Sequence, residues 1–228
     1  MIYDGATGVS RGTSGGATAA VVADLGAGAP MGFAIVCAPD AETEAAGNRL
    51  HPRTSGVIVT ELFSEMKFQG ADPGALEASF GELVRGAAEN AAAEAAASPG
   101  TAAPRFGPGG LSLMVVALFG NRLRWVAAGS ATLLHARRGE VRRLDAAADR
   151  PTAGGEGLTD SGRAILLKAG DTLLVLSRRL SDAEAREVQV TLARSCGKSA
   201  GDVAADLLDA LCAVPPMPDL AFGVARVR

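Results

Sequence analysis

Hydrophobic positions along the chain fall into short runs of two kinds. Ala17–Asp24 (ATAAVVAD) and Met31–Cys37 (MGFAIVC) are nearly continuous apolar stretches separated by the turn-forming segment Gly26–Pro30, which predicts an antiparallel hairpin. From Thr54 to Lys67 the pattern changes: Val57, Ile58 and Leu62 recur at helical spacing, and Thr54 or Ser55 can cap the first turn. A second helix is predicted from Pro73 or Gly74 to Ala97, with Leu76, Phe80, Leu83 and Val84 as its apolar stripe. That stripe fades into AENAAAEAAA, a strong helix former without large side chains, so its end is expected to be solvated.

After the Pro/Gly-rich connection Ser98–Gly110, short apolar runs return at Leu111–Phe119, Leu123–Ala128, Thr132–Ala136 and Glu140–Leu144. Turns at Asn121 and at Arg138-Gly139 join them into a meander. Ala146–Gly162 reads as a loop, and Ala164–Leu167 and Asp171–Leu176 as strands around a Lys168–Gly170 turn. Two helices follow. Ser181–Ser195 begins on a capping box, with Ser181 and Glu184 three residues apart. Ser199–Cys212 carries Val203, Leu207, Leu208 and Leu211 as a buried stripe, and Leu220–Val227 closes the chain as a strand. The order of strands, two helices, many strands, two helices and a strand predicts an α+β fold of packed antiparallel sheets with helices on their outer faces. The early helices need a sheet to cover their apolar faces, so residues 1–228 are expected to form a single domain.

Composition narrows the function classes. With 48% hydrophobic and 21% charged residues the chain is expected to fold rather than remain disordered. A net charge of −3 and the absence of a basic stripe argue against a nucleic-acid partner or an anionic membrane surface. No apolar run reaches the roughly 20 residues of a membrane span, and the start MIYDGATGVSRG lacks a signal-peptide core. Cys37, Cys196 and Cys212 are widely spaced in apolar or helical surroundings and are expected to be buried and reduced, which points to the cytoplasm.

Familiar catalytic patterns are missing. The Gly-rich spots SRGTSGG, GPGG and TAGGEG lack the residues of a phosphate loop and read as turns. His51 and His135 have no companions at metal-ligand spacing and are expected to be structural or solvated. The acidic group Asp40, Glu42 and Glu44 follows a strand end, where a solvated loop is favoured over a cation site.

Several strings nevertheless resemble one family. KAGDTLLVLSRRLSD (168–182) follows a pattern G-D-t-L-L-L-c-S-D-G-L, and GNRLRWVAAGSATLLHARRGEVRRL (120–144) follows a hairpin pattern containing G-D-S-R. Gly110-Leu111-Ser112 stands where that pattern has Gly-Thr-Thr, and Gly8-Val9-Ser10-Arg11 resembles the start of G-x-x-R-x-x-N-E-D. These strings are similar to the metal-dependent Ser/Thr protein phosphatases of the protein phosphatase 2C (PPM) type. The resemblance implies a four-layer α-β-β-α sandwich of two antiparallel sheets flanked by helices. It also implies two Mn²⁺ or Mg²⁺ ions held by aspartates, a metal-activated water that attacks phosphate, and an N-terminal Arg that orients it.

Aligned residue by residue, the implied ligand positions carry Gly16, Ala38, Ser130, Arg178 and Pro218, and Arg11 alone matches. Such a centre needs several carboxylates to offset about four positive charges, whereas Arg178 and Arg179 add two more. The resemblance therefore implies a catalytically inactive phosphatase-fold protein, a pseudophosphatase, with no cofactor expected. It would serve as a regulatory or binding module in bacterial-type Ser/Thr phosphorylation signalling, with a protein or phosphoprotein partner. Arg11, Arg178 and Arg179 are candidates for an anion or phosphate site, set against a solvated or ion-paired state with Asp182 or Glu184. The alternative is an active phosphatase holding Mn²⁺ or Mg²⁺ through substitutes such as Asp40, Asp182 and Asp219. A third possibility is a structural domain of a signalling or secretion complex with no ligand site.

Overall fold

A computed structural model of the chain describes residues 3–10, 18–22, 31–39, 54–68, 73–96, 104–107, 109–145, 157–162, 164–213 and 220–228. Its strands are β1 (Tyr3–Ser10), β2 (Thr18–Val22), β3 (Met31–Pro39), β4 (Leu111–Phe119), β5 (Arg122–Ala128) and β6 (Thr132–Arg137). They continue with β7 (Glu140–Arg143), β8 (Thr159–Asp160), β9 (Ile165–Leu166), β10 (Thr172–Leu176) and β11 (Leu220–Val227). The helices are α1 (Thr54–Phe68), α2 (Pro73–Ala96), α3 (Asp182–Ala193) and α4 (Ala200–Cys212). One antiparallel sheet has the order β1-β11-β10-β6-β7; the other runs β2-β3-β4-β5-β8, with β9 also on β5.

The unbroken apolar runs have a direct cause, because both faces of each sheet are covered. Along β3, Phe33, Ile35 and Cys37 pack with Ile58 and Leu62 of α1 and Phe80 and Val84 of α2. The alternate residues Ala34 and Val36 meet Leu133, Leu173 and Val175 of the opposite sheet. Beyond that sheet, Leu174, Leu176, Phe222 and Val224 pack on Val188 and Leu192 of α3 and Val203 and Leu207 of α4. Three cores between four layers give the expected α-β-β-α sandwich. The predicted hairpin turn at Arg138-Gly139 is present, with both residues at positive φ (53° and 81°), as a two-residue turn of this twist requires.

Three expectations are corrected, and one strand falls where none was predicted. The Ala tract of α2 is not a solvated end: Val84, Ala88, Ala91 and Ala95 form one buried stripe at helical spacing. Small side chains there let the helix lie close to the sheet. β1 lies in a segment with no strand predicted, because YDGATGVS offers almost no large apolar side chain on either face. Within the expected loop Ala146–Gly162, Thr159–Asp160 pairs with β5 as an edge strand. Of the three cysteines only Cys37 is buried; Cys196 and Cys212 are exposed at the ends of the α3–α4 region. Burial pushes the Cys37 thiol up to about 12, despite a hydrogen bond from Ser55, so it is inert as a nucleophile.

Candidate functional site

One end of the sandwich gathers the positions singled out by the sequence. There β3 ends at Ala38-Pro39 beside the start of β4, with Ala38 opposite Ser112. The β5–β6 connection passes through Gly129-Ser130-Ala131, and β10 ends at Leu176 opposite both Thr132 and Phe222. By strand alternation Ala38 shares the inner face with Ala34 and Val36, turned toward the second sheet. It is buried and apolar.

The described hydroxyls at this end are bonded within the chain. Ser112, fully buried, places its Oγ 3.0 Å from Ser130 Oγ and accepts the Ser130 N–H at 2.9 Å. The bond ties β4 of one sheet to the turn that enters the other. Ser177, also fully buried, accepts the Ala221 N–H on its Oγ at 3.0 Å and donates its own N–H to Ala221 O at 2.9 Å. These contacts clamp the end of β10 to β11.

Arg178 follows Ser177 and turns its guanidinium onto Glu184 of α3. Its two terminal nitrogens donate to Oε1 at 2.6 Å and Oε2 at 3.1 Å, a forked ion pair. The pair is largely withdrawn from solvent, with side-chain exposures of 14% for Arg178 and 6% for Glu184. Glu184 Oε2 also accepts the N–H and the hydroxyl of Ser181, each at 2.8 Å, within the capping box that starts α3. Burial by itself would raise the Glu184 carboxyl; the Arg178 fork and the Ser181 donors outweigh it and hold it below the ordinary range. Arg178 was expected to be either an anion binder or half of an ion pair with Asp182 or Glu184; the structure has the pair with Glu184. Arg179 is exposed, and Asp182 is exposed at the first position of α3. Arg11, Gly16, Asp40, Glu42, Glu44, His51, Pro218 and Asp219 lie outside the described residues.

The opposite end holds a cluster the sequence reading passed over. Asp171, before β10 and only 1% exposed, accepts from Arg137 Nε at 2.7 Å and Nη2 at 2.5 Å, and from the Lys168 N–H at 2.8 Å. His135 Nε2 lies 3.1 Å from the same carboxylate, although its angle falls outside hydrogen-bond geometry. The lone histidine is thus structural, as expected. Burial would raise Asp171, but Arg137, Lys168 and His135 together hold it low. The signal was present in the G-D string, whose Asp reads as framework once its partners are known. A third tie joins α2 to the sheet edge: Arg124 donates to both Asp160 oxygens at 2.9 Å and to Glu77 O at 2.8 Å.

No protein-family model matches the chain, and no curated protein matches it in sequence. Solved structures do match in shape. A serine/threonine phosphatase of S. agalactiae is similar over 99% of each chain, with a TM-score of 0.67 at 15% identity. PppA, a key regulatory component of the T6SS in Pseudomonas aeruginosa, covers 100% of this chain and 99% of its own at a TM-score of 0.62 and 15% identity. The catalytic domain of the serine threonine protein phosphatase PstP, in complex with two manganese ions, matches over 100% and 99% at a TM-score of 0.61 and 20% identity. The fold is that of protein phosphatase 2C.

On the protein phosphatase 2C fold a metal pair needs a convergent set of oxygen ligands, mostly carboxylates. Among the described residues no group of three or more His, Cys, Asp or Glu can hold a metal ion. At the end of the sandwich where the strings place the ligands stand a methyl group, hydroxyls bonded to one another and to backbone, and a guanidinium paired with Glu184. Among the described residues, these donors do not fit a divalent pair.

Proposed function

We propose that the chain is a protein phosphatase 2C-fold binding module without phosphatase activity, acting through a protein or phosphoprotein partner in Ser/Thr phosphorylation signalling. The observation that carries this reading is Arg178: a cation stands where the resemblance requires a metal-binding aspartate, and its fork is closed on Glu184. Arg178 offers a cation no oxygen, and its fork occupies the Glu184 carboxylate, so neither group of the pair is open to a metal. Ala38 and Ser130 point the same way, because neither supplies a carboxylate. The structural neighbours add support of a broader kind: PppA is a key regulatory component of the T6SS. Residues 1–228 then act as one domain in the cytoplasm, without nucleic acid or membrane as partner; among the described residues no helix is long and apolar enough to cross a membrane.

With Arg178 already neutralised by Glu184, the reading favours a partner bound through protein surface over a phosphate held at Arg11, Arg178 and Arg179. The test incubates the purified chain, with Mn²⁺ and then Mg²⁺, with p-nitrophenyl phosphate and with phosphoserine and phosphothreonine peptides. No release of phosphate above the metal-only blank is expected. Turnover that disappears on chelation contradicts the proposal and returns the activity to a rearranged ligand set.

A further inference from the structure

The misfit between this end of the molecule and a divalent pair leads to a second inference, which rests on the reading that metal chemistry is absent here. A metal centre does structural work as well as chemistry, because it ties together segments that carry its ligands. In this chain the same end is tied from within. Ser112 and Ser130 join β4 to the β5–β6 turn, Ser177 joins β10 to β11, and Arg178 joins the end of β10 to the first turn of α3. The last tie has the right sign of charge for a substitute. Glu184 Oε2 accepts from Arg178 and from the Ser181 N–H and hydroxyl, so its carboxylate is already satisfied at a helix start that favours negative charge.

We propose that Arg178 is an intramolecular replacement for a cation: its guanidinium, forked on Glu184, joins β10 to α3, so this end keeps its shape without divalent ions. Arg178 is on this account a positioning residue, not a catalytic one.

The experiment is a double-mutant cycle read by thermal unfolding of the full chain in EDTA and in millimolar Mn²⁺. Glu184→Gln retains one amide oxygen for the capping box and removes the charge partner of Arg178 together with one arm of its fork. It is expected to lower Tm by about 10 °C, the effect of leaving a largely buried charge unpaired in a chain of this size. Arg178→Met is expected to lower it comparably, and the double variant to lose much less than the two losses added together. Arg178→Lys, which keeps the charge but not the fork, supplies the same comparison if Arg178→Met does not fold. The wild-type Tm should be the same in EDTA and in Mn²⁺.

Two results overturn the proposal. One is additive losses in the cycle; the other is a wild-type Tm raised by about 5–10 °C in Mn²⁺, as a metal at a hundredfold its Kd would produce. Its failure is separable from that of the functional reading. Metal stabilisation without phosphate release removes the staple and leaves an inactive binding module. Phosphate release with the coupling intact does the reverse.

Discussion

The two ends of the sandwich treat carboxylates in opposite ways. At the far end Asp171 is kept, buried and surrounded by the Arg137 fork, the Lys168 N–H and His135. At the near end, the positions that the resemblance assigns to ligands carry Ala38, Ser130 and Arg178, and the buried acid, Glu184, sits on the adjoining helix. Each of these two sites buries one carboxylate against one arginine. The difference is that Asp171 holds backbone of its own sheet, whereas Glu184 neutralises a cation that stands in a ligand position. Asp145 and Asp160 are likewise framework carboxylates: Asp145, toward the Leu176 end, accepts from the Leu133 N–H and Arg143, and Asp160 accepts from Arg124. Among the described residues, buried aspartates support the scaffold, and none stands at a position that the resemblance assigns to a metal ligand.

That contrast can be broken, beginning with the largest expected effect. Asp171→Ala leaves Arg137 and the Lys168 N–H without their shared acceptor and removes the carboxylate beside His135. It should cost on the order of 3–5 kcal/mol, read as the shift of a urea midpoint. A smaller loss than that of Glu184→Gln would mean that the far end is not the stronger framework contact.

Acid should attack both ends together. Asp171 and Glu184 are each held below their ordinary values in the folded chain. Their contribution is therefore complete above the unfolded carboxylate range and is lost as pH falls toward the folded values. Urea midpoints measured from pH 7 down to pH 3 should decline through the acid range. Glu184→Gln should flatten part of that decline, and an unchanged slope would show that Glu184 is not held ionised by Arg178.

A smaller effect is expected at Ser112. Ser112→Ala removes the acceptor of the Ser130 N–H and the hydroxyl contact between the sheets, at about 1–2 kcal/mol. Denaturant titration checks it, and a neutral result would mean that the β5–β6 turn does not depend on this bond. Smallest of all, Cys196→Ser and Cys212→Ser alter exposed side chains and should stay within about 0.5 kcal/mol of wild type.

Much of the fold was legible because both faces of the central strands are buried, so β3, β4, β10 and β11 stand out as apolar runs. The Ser181–Glu184 capping box was equally plain. Small residues hid the rest. Ala88, Ala91 and Ala95 continue the stripe of α2 without the bulk that marks a core position, and β1 is built of Gly, Ala and Thr beside Asp4, whose carboxylate accepts the Ala200 N–H at the start of α4. At the site, the pattern of lost ligands could be read from the strings alone, whereas the choice of Glu184 over Asp182 as partner for Arg178 could not. Asp182 begins the helix and faces solvent; Glu184 lies about half a turn further round, where the cap brings its carboxylate back over the end of β10.

On this account the scaffold holds the Ala38–Ser130–Arg178 end of the sandwich together without metal. Calorimetric titration of Mn²⁺ into the chelator-treated chain tests it most directly. The account predicts no saturable heat beyond dilution up to millimolar metal. Saturable binding at micromolar Mn²⁺, with one or two ions per chain, would contradict it.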